Sequence, residues 1–90
     1  MSQPYLAPAE LTAEFCGRLL DALDAPLALD HVCVDFQAVK SLDSSAVALL
    51  LEWHRRAQAA QRQLELMHLP SALSQLIKVY GVEEFLQIKA

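Results

Sequence analysis

The chain has 90 residues, 54% of them apolar, and a formal net charge of −4. That is enough for one domain over residues 1–90 and too apolar for a disordered segment. No basic cluster extends beyond Arg55-Arg56, so the positive patch of a nucleic-acid binder is missing.

The first residues, Met1-Ser-Gln-Pro-Tyr5, lack the basic start and apolar run of a signal peptide. The longest apolar run, Ala46 to Leu51, is far below the ~20 residues a membrane-spanning helix needs, so no direct membrane insertion is expected. Pro4 and Pro8 bracket Tyr5-Leu-Ala, which leaves room for one short edge strand at most. Leu11, Phe15, Leu19 and Leu23, with Cys16 and Leu20 beside them, recur at helical spacing behind Thr12, a natural N-cap. Pro26 is expected to stop this helix.

His31-Val-Cys-Val-Asp-Phe36 is a near-continuous apolar run rich in β-branched residues, the pattern of a strand covered on both faces. Asp35 interrupts it. A carboxylate buried without partners is costly, so Asp35 is expected at the strand's rim, bonded to N–H groups of the following turn and serving as structural support for the Asp43–Ser45 turn rather than as a catalyst.

Asp43, Ser44 and Ser45 fall where the next helix, about Ser44 to Gln61, should begin. Their oxygens suit capping of the first-turn N–H groups. They equally suit presentation of two hydroxyls and a carboxylate to a partner. In this helix the apolar positions, among them Ala46, Leu49, Leu50, Trp53 and Ala57, spread over roughly 200°, whereas one-sided packing needs a stripe of about 100°. Glu52, Arg55, Arg56 and Arg62 take the remaining side. The wide arc fits either deep burial or a binding strip on its flank at Leu49 and Trp53, since Trp suits cores and interfaces alike.

Gln63 to Leu69 alternates in part and reads as another strand, with Leu64, Leu66 and His68 on one side. Pro70 and Ser71 open a last helix bearing Leu73, Leu76, Ile77 and Tyr80 on one face, and Gly81 suits a left-handed C-cap. Val82 to Ala90 is expected to pack Phe85 and Leu86 back on the body. Alternation of strand and helix argues for an α/β fold, a small mostly parallel sheet with crossover helices.

Chemistry-bearing patterns are few. Cys16 and Cys33 have no CxxC spacing and are read as buried free thiols of a reducing cytosol. His31, His54 and His68 lie on three elements without metal-ligand spacing, so no metal is expected. Gly17 and Gly81 are the only glycines, which excludes a Gly-rich phosphate loop and a Gly-x-Ser-x-Gly elbow. No enzyme, cofactor or small-molecule substrate is expected.

Asp35-Phe-Gln-Ala-Val-Lys-Ser-Leu-Asp43-Ser-Ser-Ala-Val-Ala-Leu-Leu resembles the core signature of STAS domains, in which a strand leads through a polar turn into an apolar helix. Leu69-Pro-Ser-Ala-Leu-Ser-Gln-Leu-Ile-Lys-Val-Tyr-Gly-Val is similar to that family's last helix. Within the family, the chain most resembles the STAS subunits of Mla-type phospholipid-transporting ABC complexes. The resemblance implies a STAS-like fold with a shortened N-terminal strand region. It also implies a cytoplasmic regulatory subunit, held at the inner membrane through the ABC transporter ATPase that it binds. Partner-binding residues would be Asp43, Ser44, Ser45, Leu49, Trp53 and Tyr80. A more distant resemblance, to anti-sigma-factor antagonists, implies phosphorylation at Ser45 or Ser44. Gln37-Ala38 in place of Ser-Gly, and Ala46 in place of Gly, depart from the family pattern.

Overall fold

The computed structural model describes residues 4–88. Their order is β1 (Tyr5–Leu6), β2 (Glu10–Leu11), α1 (Ala13–Leu19), α2 (Asp24–Leu29), β3 (Val32–Asp35), β4 (Ser41–Leu42), α3 (Ser45–Ala59), β5 (Leu64–Met67), α4 (Ser71–Val79), a 3-10 turn (Glu83–Phe85) and β6 (Gln87–Ile88). Four strands form one sheet in the order β1-β3-β5-β6, every neighbouring pair parallel. Parallel pairing requires a crossover between strands, and α3 and α4 supply the crossovers that follow β3 and β5. A second, two-residue parallel pair joins β2 to β4, with Leu11 opposite Leu42. The fold is thus the small, mostly parallel α/β arrangement expected, and the region before α1 holds two short strands in different sheets.

The core follows from the two periodicities. Val32, Val34 and Phe36 from β3 and its end, and Leu64 and Leu66 from β5, are buried, with Val34 aligned to Leu66 across the pair. Helix α3 touches α1, α4 and β5, and Ala46, Val47, Leu49, Leu50, Trp53 and Ala57 are all buried. The wide apolar arc is therefore deep burial. Leu49 and Trp53, 1% and 0% exposed, are core residues and present no binding strip: α1 and β1 cover that flank. The Trp53 indole Nε1–H donates to the Leu19 carbonyl at 2.9 Å, and its ring meets Tyr5 edge-on.

Pro26 does not end α1. Helix α1 stops at Leu19, and Pro26 lies in the first turn of the separate helix α2, where a missing N–H breaks no intrahelical bond. Nor is the charged side of α3 a merely solvated face. Arg56 donates to the Leu20 carbonyl and pairs with Asp21, Asp24 and Glu52. Arg62 donates to the carbonyls of Leu27 and Ala28. These side chains satisfy the orphan carbonyls at the ends of α1 and α2, so α3 and the turn that follows it fasten the first two helices.

Two helix ends share one device. After α4, Gly81 at φ 67° sends its N–H to Lys78 and that of Val82 to Ile77, the Schellman pattern. After α3 the same pair of bonds runs from Gln61 to Gln58 and from Arg62 to Ala57, with Gln61 at φ 58°. In the tail Leu86 is buried, but Phe85 is half-exposed and does not pack into the core; Lys89 and Ala90 lie outside the described residues. Of the two thiols, neither in a disulfide, Cys16 is buried while Cys33 is only partly so, its sulfur 3.1 Å from that of Met67.

Candidate docking site at the mouth of the third helix

Asp43, Ser44 and Ser45 form the turn between β4 and α3. The Asp43 side chain accepts the Ser45 N–H on Oδ1 at 2.9 Å, and its backbone carbonyl accepts the Ala46 N–H. Asp43 is therefore the residue that caps α3. Oδ2 reaches the Ala13 N–H at the start of α1, 3.1 Å away. The N–H groups of Ser45 and Ala13 hold the carboxyl below its usual range, against the opposing effect of burial. Burial first, then the Asp43 charge, pushes the nearby Cys16 thiol up, which keeps it protonated and unreactive.

The two serines differ. Ser45 is half-buried and gives its backbone N–H to Asp43, whereas Ser44 is exposed and makes no side-chain cap bond. Each lines its own shallow groove. Ser44 sits with Val47, Ala48, Leu51, Tyr80 and Val82 in a groove of about 300 Å³ between α3 and the end of α4. Ser45 lines one of about 240 Å³ between α1 and α3, where Cys16, Gly17, Leu20 and Ala48 are its neighbours. Ala48 belongs to both and forms the ridge between them. The structure thus places Ser44 with Tyr80 in one groove and Ser45 in the other, where Leu49, 1% exposed, contributes only to the floor, and it leaves Trp53 in the core.

Sequence reasoning missed part of this surface. Leu51 was legible only as a member of a wide arc, and Ala48 carried no signal of its own. Val79, 78% exposed and next to the 54% exposed Tyr80 in the chain, is a further exposed apolar side chain; its signal is an apolar residue off the Leu73 and Ile77 stripe.

Asp35 lies at the carboxyl end of β3, buried. Its Oδ1 accepts the Gln37 N–H at 2.9 Å and stands 3.0 Å from His68 Nδ1. Burial alone would raise its pKa, but the Gln37 N–H and His68 together bring it below the ordinary value. Asp35 thus supports the turn directly after β3, as its rim position suggested, and its bonds go to Gln37 and His68 rather than to the Asp43–Ser45 turn. His68 is not on the core side of β5. It follows the strand at φ 57°, in the left-handed region where His is tolerated, and its ring turns to Asp35.

Among the described residues no group of His, Cys, Asp and Glu is placed to hold a metal ion, and no helix is long and apolar enough to cross a membrane. A parallel sheet carrying a capped helix mouth, with two apolar grooves flanking its serines, defines a small α/β domain. The chain belongs to the STAS domain family described as Mlab, whose model matches residues 8–88. No curated protein matches the chain. Among solved structures it is similar to the anti-sigma factor antagonist SpoIIAA in its unphosphorylated form, with a TM-score of 0.74 at 15% identity, over 100% of this chain and 84% of that one. At that identity the likeness is one of fold. STAS domains mediate protein–protein interactions and are generally regulatory or binding domains rather than enzymes.

Proposed function

We propose that this protein is a non-catalytic regulatory or assembly subunit that binds the cytoplasmic ATPase of a phospholipid-transporting ABC complex of the Mla type. The family match supplies the class of partner. The observation that carries the reading is the groove joining exposed Ser44 to Tyr80 across α3 and α4. Tyr is among the residue types enriched at interface hot spots, and the Tyr80 ring offers both apolar area and a polar tip beside the Ser44 hydroxyl. Docking uses Asp43, Ser44, Ser45 and Tyr80, and membrane association comes through the ATPase. Co-purification with the ATPase encoded beside the gene tests this. Ser44→Arg fills the groove with a charged side chain and is expected to abolish retention; retention equal to wild type refutes this surface.

A second reading is favoured by the fold likeness to SpoIIAA: an anti-sigma-factor antagonist switched by phosphorylation at Ser45 or Ser44. Against it, Ser45 lies directly beside the Asp43 carboxylate, whose charge a phosphate there would meet. Incubation with a cognate kinase and ATP, read by mass spectrometry, separates the two. Stoichiometric phosphate at either serine, with a change of partner, supports the switch.

A further inference from the structure

Asp43 serves two helices that are far apart in sequence. Oδ1 holds the Ser45 N–H of α3 while Oδ2 holds the Ala13 N–H of α1, 30 residues away. Thr12, in the N-cap position of α1 with the extended backbone of a capping residue (φ −105°, ψ 169°), makes no side-chain cap bond. Helix α1 has seven residues, with Gly17 among them. A helix that short does not persist without outside contacts, and an internal Gly weakens it further. Its other end is pinned from α3, by Trp53 to the Leu19 carbonyl and Arg56 to the Leu20 carbonyl.

We infer that Asp43 is a positioning residue coupling the docking turn to α1. A partner's guanidinium or ammonium group that draws this carboxylate away releases the first turn of α1, while the indole and guanidinium of α3 keep the last turn in place. Because α1 is one wall of the groove lined by Ser45, Ala48 and Leu49, occupation of the turn changes the shape of that neighbouring groove. The significance for docking rests on the proposed function; the coupling itself is a property of the isolated chain.

Amide hydrogen exchange of the isolated chain, resolved by residue, tests it. Asn has one acceptor oxygen where Asp has two, and it is a good N-cap. Asp43→Asn therefore keeps the Ser45 bond and loses that to Ala13. The amides of Phe15 and Cys16, which bond the Thr12 carbonyl and close the first turn, are expected to exchange about ten-fold faster, while those of β3 and β5 keep their wild-type rates. Adding Thr12→Asp supplies α1 with a carboxylate cap of its own and is expected to restore protection. Unchanged exchange in α1 overturns the coupling, as does an acceleration shared equally by α1, β3 and β5, or a double variant that restores nothing. No ATPase is present in this measurement, so failure here leaves the docking reading standing, and failure of the Ser44→Arg test leaves the coupling standing.

Discussion

The Trp53 indole donates its N–H to the Leu19 carbonyl at 2.9 Å, and Tyr5 meets the same ring at 85° with centroids 6.1 Å apart. One side chain of α3 thereby ties the end of α1 to the first strand of the sheet. Trp53→Ala is expected to cost about 3–5 kcal/mol of stability as a cavity opens. Trp53→Phe keeps part of the packing but leaves the carbonyl without its donor, costing about 1–3 kcal/mol. Urea unfolding midpoints check both values. Were Trp53 a partner contact instead, stability would hold and only binding would fall.

Ser44 and Tyr80 are expected to behave in the opposite way. Tyr80→Ala removes an exposed ring, so the unfolding midpoint stays within experimental scatter. Affinity for the ATPase falls about ten-fold or more, the usual loss when an aromatic anchor is truncated. Titration calorimetry beside a thermal melt separates the two readouts.

Gln61 occupies a backbone conformation suited to glycine, as its counterpart Gly81 shows at the end of α4. Gln61→Gly removes a side chain from the left-handed region and is expected to stabilise the fold by about 0.5–1 kcal/mol, the relief of strain exceeding the added freedom of the unfolded chain. Gly81→Ala is expected to destabilise, since nothing crowds its Cβ position and only the backbone angle (φ 67°) resists substitution. Chemical denaturation of both variants gives the pair of signs.

Acid should weaken the fold in a defined window. Hydrogen bonds from Arg55 and then Arg56 hold the Glu52 carboxyl at about 2, against 4.5 ordinarily, and those of Asp35 and Asp43 are also depressed. A carboxyl with a depressed folded-state pKa binds fewer protons than its unfolded counterpart, so its contribution is complete above the unfolded value and lost as pH falls. For Glu52 the loss runs from about pH 4.5 down to about 2. Thermal melts across that range are expected to show a falling midpoint, with a shallower slope in Glu52→Gln. Added salt is expected to reduce the Glu52 contribution as well, because the cluster is partly exposed.

The fold was largely legible because the local signals agreed. Val32, Val34, Leu64 and Leu66 marked the central strands, and Leu73 with Ile77 marked the buried face of α4. What the sequence obscured depends on contacts made over long separations. The period of Leu11, Phe15, Leu19 and Leu23 concealed a break, since a stripe does not reveal where an intervening turn restarts it. Gln61 hid a helix stop normally signalled by glycine. Trp53 remained ambiguous because an aromatic residue suits a core and an interface equally, and only the positions of Leu19 and Tyr5 decide between them. Asp43 was legible as a cap for α3, but its second bond, to Ala13, lies beyond any local pattern.

Strand β1 is two residues long, with Pro4 before it and Pro8 shortly after. Proline offers no N–H, so this border of the sheet presents little on which an incoming strand could build. A second copy of the chain finds no template there for stacking into fibres. Contacts at this border are thereby left to side chains, where they can be selective and reversible.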